Sequence, residues 1–456
     1  MSQVTKAPVA ECREHAGACT EVPPPEPLTV DTPPSARPQT PARESASTPA
    51  RGREPSVLSR LLLFGALVGI GPLTIDMYLA AFPTVVQELG TTEAAVQLTL
   101  TATLVGLALG QLTIGAVSDS VGRRLPLLAA LTAYVLVSVA IALTDTITGV
   151  LLLRFVQGFT AASGMVLSQA MVRDLYSGAR MASFISRLFL VVGVAPIIAP
   201  TLGAQFLHFW EWRSIFWGLA GFGLVLAVLA TVFVQETLPV QRRSARGPKP
   251  ALRSYAVLLR DRRYVGLVLT ACTAMGALFA YIASATFIFQ DLYGMSTQQY
   301  ALVFAGGAGA LTVASQVNGS LVKRHHPARI MSVAIPVAVT IASSLLLASL
   351  LDLGAWAVVA GVIGVMGTVG FIMPNAPVIA LNDHAHRAGA AAALLGATNF
   401  VFGALISPIS GLFETTSAVP MAAIMVACTT LSLIAFRTLA RPQEIVRDMP
   451  WETATS

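Results

Sequence analysis

Apolar runs of about twenty residues recur almost without pause from residue 60 to residue 436. Each is long enough to cross a ~30 Å hydrocarbon layer as a helix. Inside such a layer every backbone polar group must be satisfied within the chain, which leaves only helices or closed barrels. Barrel strands would read as alternating segments of ~10 residues, and these runs do not alternate. Twelve spans are predicted, at 60–86, 95–117, 125–144, 147–172, 181–206, 213–235, 264–289, 297–321, 328–350, 354–381, 388–413 and 418–436. The chain is 55% hydrophobic and 11% charged, where soluble domains carry about 25% charge. The expectation is an all-α membrane protein. The first span is too long for a secretory leader and has no small-residue cleavage site after it.

The basic residues orient the spans. Lys and Arg concentrate before Arg60, in alternate loops and in the C-terminal tail. The other loops carry Glu88, Glu93, Asp145, Glu211, Asp291, Asp352 and Glu414, with Arg213 as their one cation. This asymmetry places both termini on the cytoplasmic side of a cell (inner or plasma) membrane. Trp210, Trp212, Trp217 and Trp356 are expected as an aromatic belt at the outer interface. The net charge of +6 thus reflects topology and is no pointer to nucleic acid.

Five segments follow. Residues 1–57 hold eleven prolines and too few large apolar residues for a core, so a disordered cytoplasmic tail is expected. Residues 58–235 form a first six-helix bundle, 236–263 a basic linker, 264–437 a second bundle, and 438–456 a C-terminal tail. The linker stretch SYAVLLRDRRYV reads either as a positive-inside loop, which is preferred, or as a short amphipathic helix on the anionic leaflet. Cys12, Cys19, Cys272 and Cys428 have no zinc spacing and make no plausible disulfide framework. His325, His326, His384 and His386 read as solvated loop residues, so no metal is expected. The halves repeat weakly. Aligning Arg180 of SGARMASF with Arg387 of AHRAGAAA puts Arg154 opposite Gly361, and laying LGTTEAAVQ on YGMSTQQYA puts Asp76 opposite Ala280. Repeated halves with a central site are a transporter architecture.

Two charges fall inside the spans: Asp76 in GPLTIDMYLAAFP and Arg154 in LLLRFVQGF. An intramembrane ionisable group is expensive and usually kept for function. Asp76 lies roughly 5 Å and Arg154 roughly 8 Å outward of their span midpoints, so the two share a depth. Gln157 is one turn below Arg154 on the same face. The pair reads either as a proton and substrate site or as a static ion pair pinning two helices. The first is preferred, because buried pairs often add little stability.

The loop after the second span reads GAVSDSVGRRLPLL, and its Gly115, Asp119, Gly122, Arg123 and Arg124 resemble the G-x-x-x-D-R-x-G-R-R signature of the major facilitator superfamily, with Ser120 in place of the first basic residue. Glycines there allow a tight turn, and Asp119 is expected to latch the two halves on the inner side. LLLRFVQGFTAASG resembles the R-x-x-Q-G motif of proton-coupled drug exporters. VVGVAPIIAPTLGAQF, with Gly193, Pro196, Pro200 and Gly203, resembles the antiporter motif. Together with IDMYLAAFP, EWRSIFW and GFIMPNAPVIALNDHAHRAGAAAALLG, these resemble the bicyclomycin/chloramphenicol-resistance (Bcr/CflA) subfamily over about residues 60–437. Ala80–Ala81, where that subfamily often has proline at 80, and Asn399, where Gln is usual, depart from it.

The resemblance implies a major facilitator fold with 3+3 inverted repeats in each half. It also implies drug:proton antiport by alternating access in a monomer, using the proton gradient and no cofactor. A lipophilic or amphiphilic drug, the proton and the lipid bilayer are then the partners. The expected cavity residues are Asp76, Tyr78, Gln111, Arg154, Gln157, Gln169, Tyr281, Phe287, Gln316, Phe371, Asn375 and Asn399. Each polar one could equally serve as interhelical glue. The competing readings are a metabolite exporter or uptake symporter of the same fold and, more remotely, a polytopic membrane enzyme. The scattered single acids form no nucleophile–base set, and no P-loop suggests ATP drive.

Overall fold

The structure is a computed structural model that describes residues 57–243, 249–384, 387–411 and 417–448. The Pro-rich tail, Cys12, Cys19, Arg246, His386 and the last eight residues lie outside these. The described residues fold into sixteen α-helices. In the first half these are α1 (Val57–Leu79), α2 (Phe82–Glu88), α3 (Glu93–Val121), α4 (Arg124–Ala142), α5 (Ile147–Leu175), α6 (Gly178–Phe209) and α7 (Arg213–Phe233). The linker contains α8 (Lys249–Leu258). The second half has α9 (Arg262–Thr286), α10 (Thr297–Leu321), α11 (Pro327–Leu350), α12 (Ala355–Ile372), α13 (Asn375–Asn382), α14 (Ala388–Gly411) and α15 (Val419–Ala435). The last helix is α16 (Pro442–Asp448). Eleven stretches are long and apolar enough to cross a membrane, α12 and α13 counting as one, and the 32-residue α6 completes twelve.

Local chemistry sets the helix starts. Thr92 accepts the Ala95 N–H and Thr146 accepts the Gly149 N–H. Asp261 caps α9, and Ser296 with Gln299 forms a reciprocal capping box on α10. Each satisfies donors that a helix N-terminus leaves free. Two spans differ from the sequence expectation for a shared reason. The run 60–86 is two helices, because Pro83 has no N–H to offer the Leu79 carbonyl. The run 354–381 is likewise α12 and α13, because Pro374 leaves the Gly370 carbonyl without its donor. The linker stretch read as a loop is helical in α8.

In the first half α3 packs on α5, α1 on α5 and α6, and α4 on α7; in the second, α10 packs on α12, α9 on α14 and α15, and α11 on α12 and α15. Between the halves the main contacts are α3 with α14 and α6 with α10. A Cβ on Gly106 or Gly158 would run into the backbone of the facing helix, so glycine permits the α3–α5 approach. Leu125, Leu136, Val232, Leu302 and Val333 are exposed on the outside, as lipid-facing residues are. Trp210, Trp217 and Trp356 are exposed near the end carrying the acidic loops, but Trp212 is fully buried and does not belong to a belt. Its ring packs edge-on to Phe216 and under the Arg213 guanidinium, 4.5 Å away. Arg213 in turn holds Glu88 and, at 2.8 Å, Asp145.

Candidate functional site: a lone carboxyl, a guanidinium cage and a one-mouthed cavity

Asp76 and Arg154 are both buried, and they are not partners. Arg154 donates through Nη1 to the Thr74 carbonyl at 2.9 Å and to Gln157 Oε1 at 2.8 Å. Its guanidinium carbon sits 4.7 Å from the Tyr78 ring centroid and 5.8 Å from that of Phe216. Gln157 passes the network on to Ser138 at 2.8 Å, and Tyr134 bonds Thr74 Oγ1 at 2.7 Å. Nε and Nη2 of Arg154 have no hydrogen-bond partner. Asp76 makes no hydrogen bond or ion pair among the described residues. The expectation of a paired charge is therefore corrected. The reason is azimuth: at 100° per residue, Thr74 and Tyr78 share one face of α1, and Asp76, two residues from each, points about 200° away. That turns it away from the Arg154 cage; the helix of the second half that touches α1 is α9.

The other expected cavity residues divide. Gln111 and Gln169 line a cavity of about 460 Å³ that opens at the end carrying the basic loops, between α3, α5, α8 and α14. Gly115, Asp119, Arg123, Tyr255 and Arg387 also line it. Phe287 is buried at the opposite end, its ring centroid 5.9 Å from that of Phe82. There Thr286 Oγ1 donates to the Leu79 carbonyl at 3.0 Å, supplying the bond that Pro83 cannot. The cavity thus has one mouth. Tyr281 is buried, stacked on Phe304 with centroids 5.4 Å apart, and its hydroxyl has no partner. Asn399 is buried with Oδ1 unbonded. Asn375 is held in a two-way amide pair with Asn318 at 2.7 and 3.2 Å, Phe371 is partly buried against the second half's core, and Gln316 is exposed on α10. Of the twelve expected cavity residues, Gln111 and Gln169 are the two that line the cavity. A hydroxyl the sequence did not single out, Ser315, donates to the Gly370 carbonyl at 3.0 Å and so repairs the Pro374 break.

On α6, the Gly193 carbonyl accepts from Thr312 Oγ1 of α10 at 2.9 Å, across the halves. Pro196 and Pro200 lie within the helix, and Gly203 sits against the α1 backbone at Met77.

The loop motif folds around Arg123. Its guanidinium bonds Asp119 at 2.6 Å, Asp174 at 3.0 Å and Ser118 at 2.6 Å. Arg124 donates to the Thr231 carbonyl at 2.8 Å. Gly122 has φ +104°, a region that favours glycine, and a Cβ there would collide with Glu236. Glu236, which sequence reasoning missed, accepts the Arg123 and Arg124 N–H groups at 2.8 and 3.2 Å. Partial burial pushes its carboxyl up, but those N–H groups, that of Leu238 and the Arg243 guanidinium outweigh it and hold it below its ordinary value. Every one of these partners is in the first half or at the linker's start. The latch between halves expected of Asp119 is therefore not made in this structure, where the cavity separates it from α14.

The profile of the Major Facilitator Superfamily matches residues 62–408. The chain is 37% identical over 381 residues to the uncharacterized MFS-type transporter YdgK of Bacillus subtilis (strain 168), covering 83% of this chain and 94% of that protein. It is 30% identical over 376 residues to the bicyclomycin resistance protein homolog of Haemophilus influenzae, covering 82% and 94%. It is 28% identical over 253 residues to the multidrug resistance protein MdtL of Escherichia coli O9:H4 (strain HS), covering 55% and 64%. In fold it is similar to a bacterial homolog of the human lysosomal transporter Spinster, solved inward-facing and occupied, with TM-score 0.65 at 13% identity over 86% of this chain and 98% of that one. It is also similar to the human organic anion transporter MFSD10, with TM-score 0.61 at 16% identity over 85% and 100%.

Proposed function

The chain belongs to the Major Facilitator Superfamily, a family of multi-pass membrane transporters, and from that premise we propose that it exports small lipophilic or amphiphilic drugs in exchange for protons. The single observation that carries this reading is Asp76. A buried carboxyl with neither a hydrogen bond nor a counter-ion is costly in its charged form. It can take a proton from one side and give it up to the other as the halves rearrange. Its seat is on α1, the helix that touches α9 of the second half, on the face turned away from the Arg154 cage. The cavity mouth lies among the basic loops, which is the cytoplasmic side if Lys and Arg mark the inside. In this state the protein offers its cavity to the cytoplasm of a cell membrane, with both termini inside. Gln111, Gln169 and Met165 stand in the cavity wall among Ala and Gly. Apolar Leu112, Val166 and Ala residues share the wall with Asp119, Arg123, Arg173 and Arg387, a mixture that suits amphiphilic solutes. The names of the relatives, bicyclomycin and multidrug resistance proteins, favour the same substrate class.

Arg154 takes a different part. Its charge is held by a carbonyl, an amide and two ring faces within the first half, which fixes α1 against α5 and α7 and leaves the proton chemistry to Asp76. The drive is the proton gradient, with no cofactor and one polypeptide as the working unit. A proton moving down 100 mV supplies ~2.3 kcal/mol, equivalent to a roughly fifty-fold substrate gradient at 1.4 kcal/mol per decade. The test is a drug-susceptibility panel in a host without its own pumps, paired with substrate-induced proton release in vesicles. Resistance that vanishes with the proton gradient and with Asp76→Asn is expected. Full resistance in the Asp76→Asn strain would overturn the reading.

A further inference from the structure

Asp76 is buried without a hydrogen bond, and close to its level stands another buried group without a partner, the Tyr281 hydroxyl. Their levels follow from one bond. Helices α1 and α9 both run from the basic-loop end to the acidic-loop end, and Thr286 of α9 donates to the Leu79 carbonyl of α1 at 3.0 Å. Asp76 lies three residues before Leu79, about 4.5 Å back along its helix, and Tyr281 lies five before Thr286, about 7.5 Å back. The two side chains therefore stand within about 3 Å of one another in depth, on contacting helices of different halves. The Tyr281 ring cannot swing freely. It is stacked on Phe304 at an interplanar angle of 24° and is fully enclosed.

We propose that Tyr281 is the positioning residue of the proton step: when the halves rearrange, its O–H donates to the Asp76 carboxylate, so the second half registers whether the first holds a proton. This rests on Asp76 being the proton site. A lone buried hydroxyl and a lone buried carboxyl each lose the hydrogen bond that water would give them. A shift of a few ångströms between α1 and α9 removes both deficits at once, and only while Asp76 is charged is the bond charge-assisted and strong. The titratable groups on this side of α1 are Tyr281 of α9 and Tyr300 of α10. Tyr300 is already bonded to Thr286 at 3.0 Å. Arg154, Tyr78 and Tyr134 lie behind α1, and α6 brings Gly203 against it. Of the two, Tyr281 is thus the phenol whose hydroxyl has no partner.

The experiment is infrared difference spectroscopy on the full chain reconstituted in lipid vesicles, titrated from alkaline to acid buffer, with proton-driven export followed in the same vesicles. Asp76→Asn identifies the carboxyl band by its loss. Tyr281→Phe keeps the ring and its stacking while removing the hydroxyl. In Tyr281→Phe the Asp76 band is expected to change frequency and its midpoint to move by about one pH unit, the worth of one hydrogen bond to a charged group. Export should fall about tenfold, with less change in the substrate concentration for half-maximal rate. If the band and midpoint are unmoved in Tyr281→Phe, this inference falls and the proton-site reading stands. If no titrating band disappears in Asp76→Asn, both fall.

Discussion

The two halves have the same fold and use their buried polar groups for different ends. In the first half they gather around a charge: Arg154, Gln157, Ser138, Tyr134 and Thr74 form one connected set, with Tyr78 and Phe216 as its walls. In the second half the position matching Arg154 is Gly361, where even a Cβ would stand 2.8 Å from the Leu345 side chain. The polar groups there mend a backbone instead. Ser315 satisfies the carbonyl that Pro374 abandons, and Asn318 clasps Asn375 one residue beyond it. A duplicated frame has thus kept its packing and divided its labour. The first half carries the charged groups, while the second supplies the hydroxyls that brace the broken helices, its own at Pro374 and the first half's at Pro83.

Mutations can break this comparison, and the largest effect expected is functional. Asp76→Asn should abolish proton-coupled export with the protein still inserted and folded, seen as lost resistance at normal membrane abundance; Ala280→Asp, at the matching position of the second half, should not restore it. Next is Arg154→Ala, which strands Gln157 and the Thr74 carbonyl and opens a void. A loss of about 2–5 kcal/mol is expected, read as a lower melting temperature in detergent. Arg154→Lys should recover little of it, because an ammonium cannot replace the planar fork. Gly361→Leu tests the other side of the comparison. Overpacking against Leu345 should cost about 1–3 kcal/mol. Retention of wild-type stability there would mean that the halves differ less in packing than their side chains suggest. Ser315→Ala should cost about 1–3 kcal/mol by leaving the Gly370 carbonyl without a donor. The smallest effect belongs to Glu236. Its folded carboxyl is held below its ordinary value of 4.5, so its stabilisation is complete above that pH and fades as pH falls through the lower folded value. Glu236→Gln should lose about 1 kcal/mol at neutral pH and converge with the natural protein in acid, as followed by thermal melts across pH.

Much of this was legible in the residues. Span boundaries follow from apolar length, which the bilayer imposes directly, and α10 begins and ends at the predicted 297 and 321. The contact between Arg154 and Gln157 follows from their spacing of three on one helix. The pairing of Asp76 with Arg154 failed because depth is one coordinate of a helix and azimuth another: shared depth said nothing of the facing direction. The spacing of four between Thr74 and Tyr78 carried the missing angle. Glu236 was beyond reach, since what matters about it is two backbone N–H groups over a hundred residues away in the chain. The breaks at Pro83 and Pro374 were visible as prolines, but the hydroxyls that repair them come from other helices.

Thr312 has a consequence for how the halves part. Its hydroxyl lies 2.9 Å from the Gly193 carbonyl across the interface and 2.8 Å from the Ala308 carbonyl of its own helix. Thr286 is placed alike, between Leu79 and Tyr300 at 3.0 Å each. A hydroxyl with two acceptors and one proton can release the foreign one and keep the domestic one. Each such clasp comes undone without stranding its own donor, which makes it a fastening suited to repeated opening.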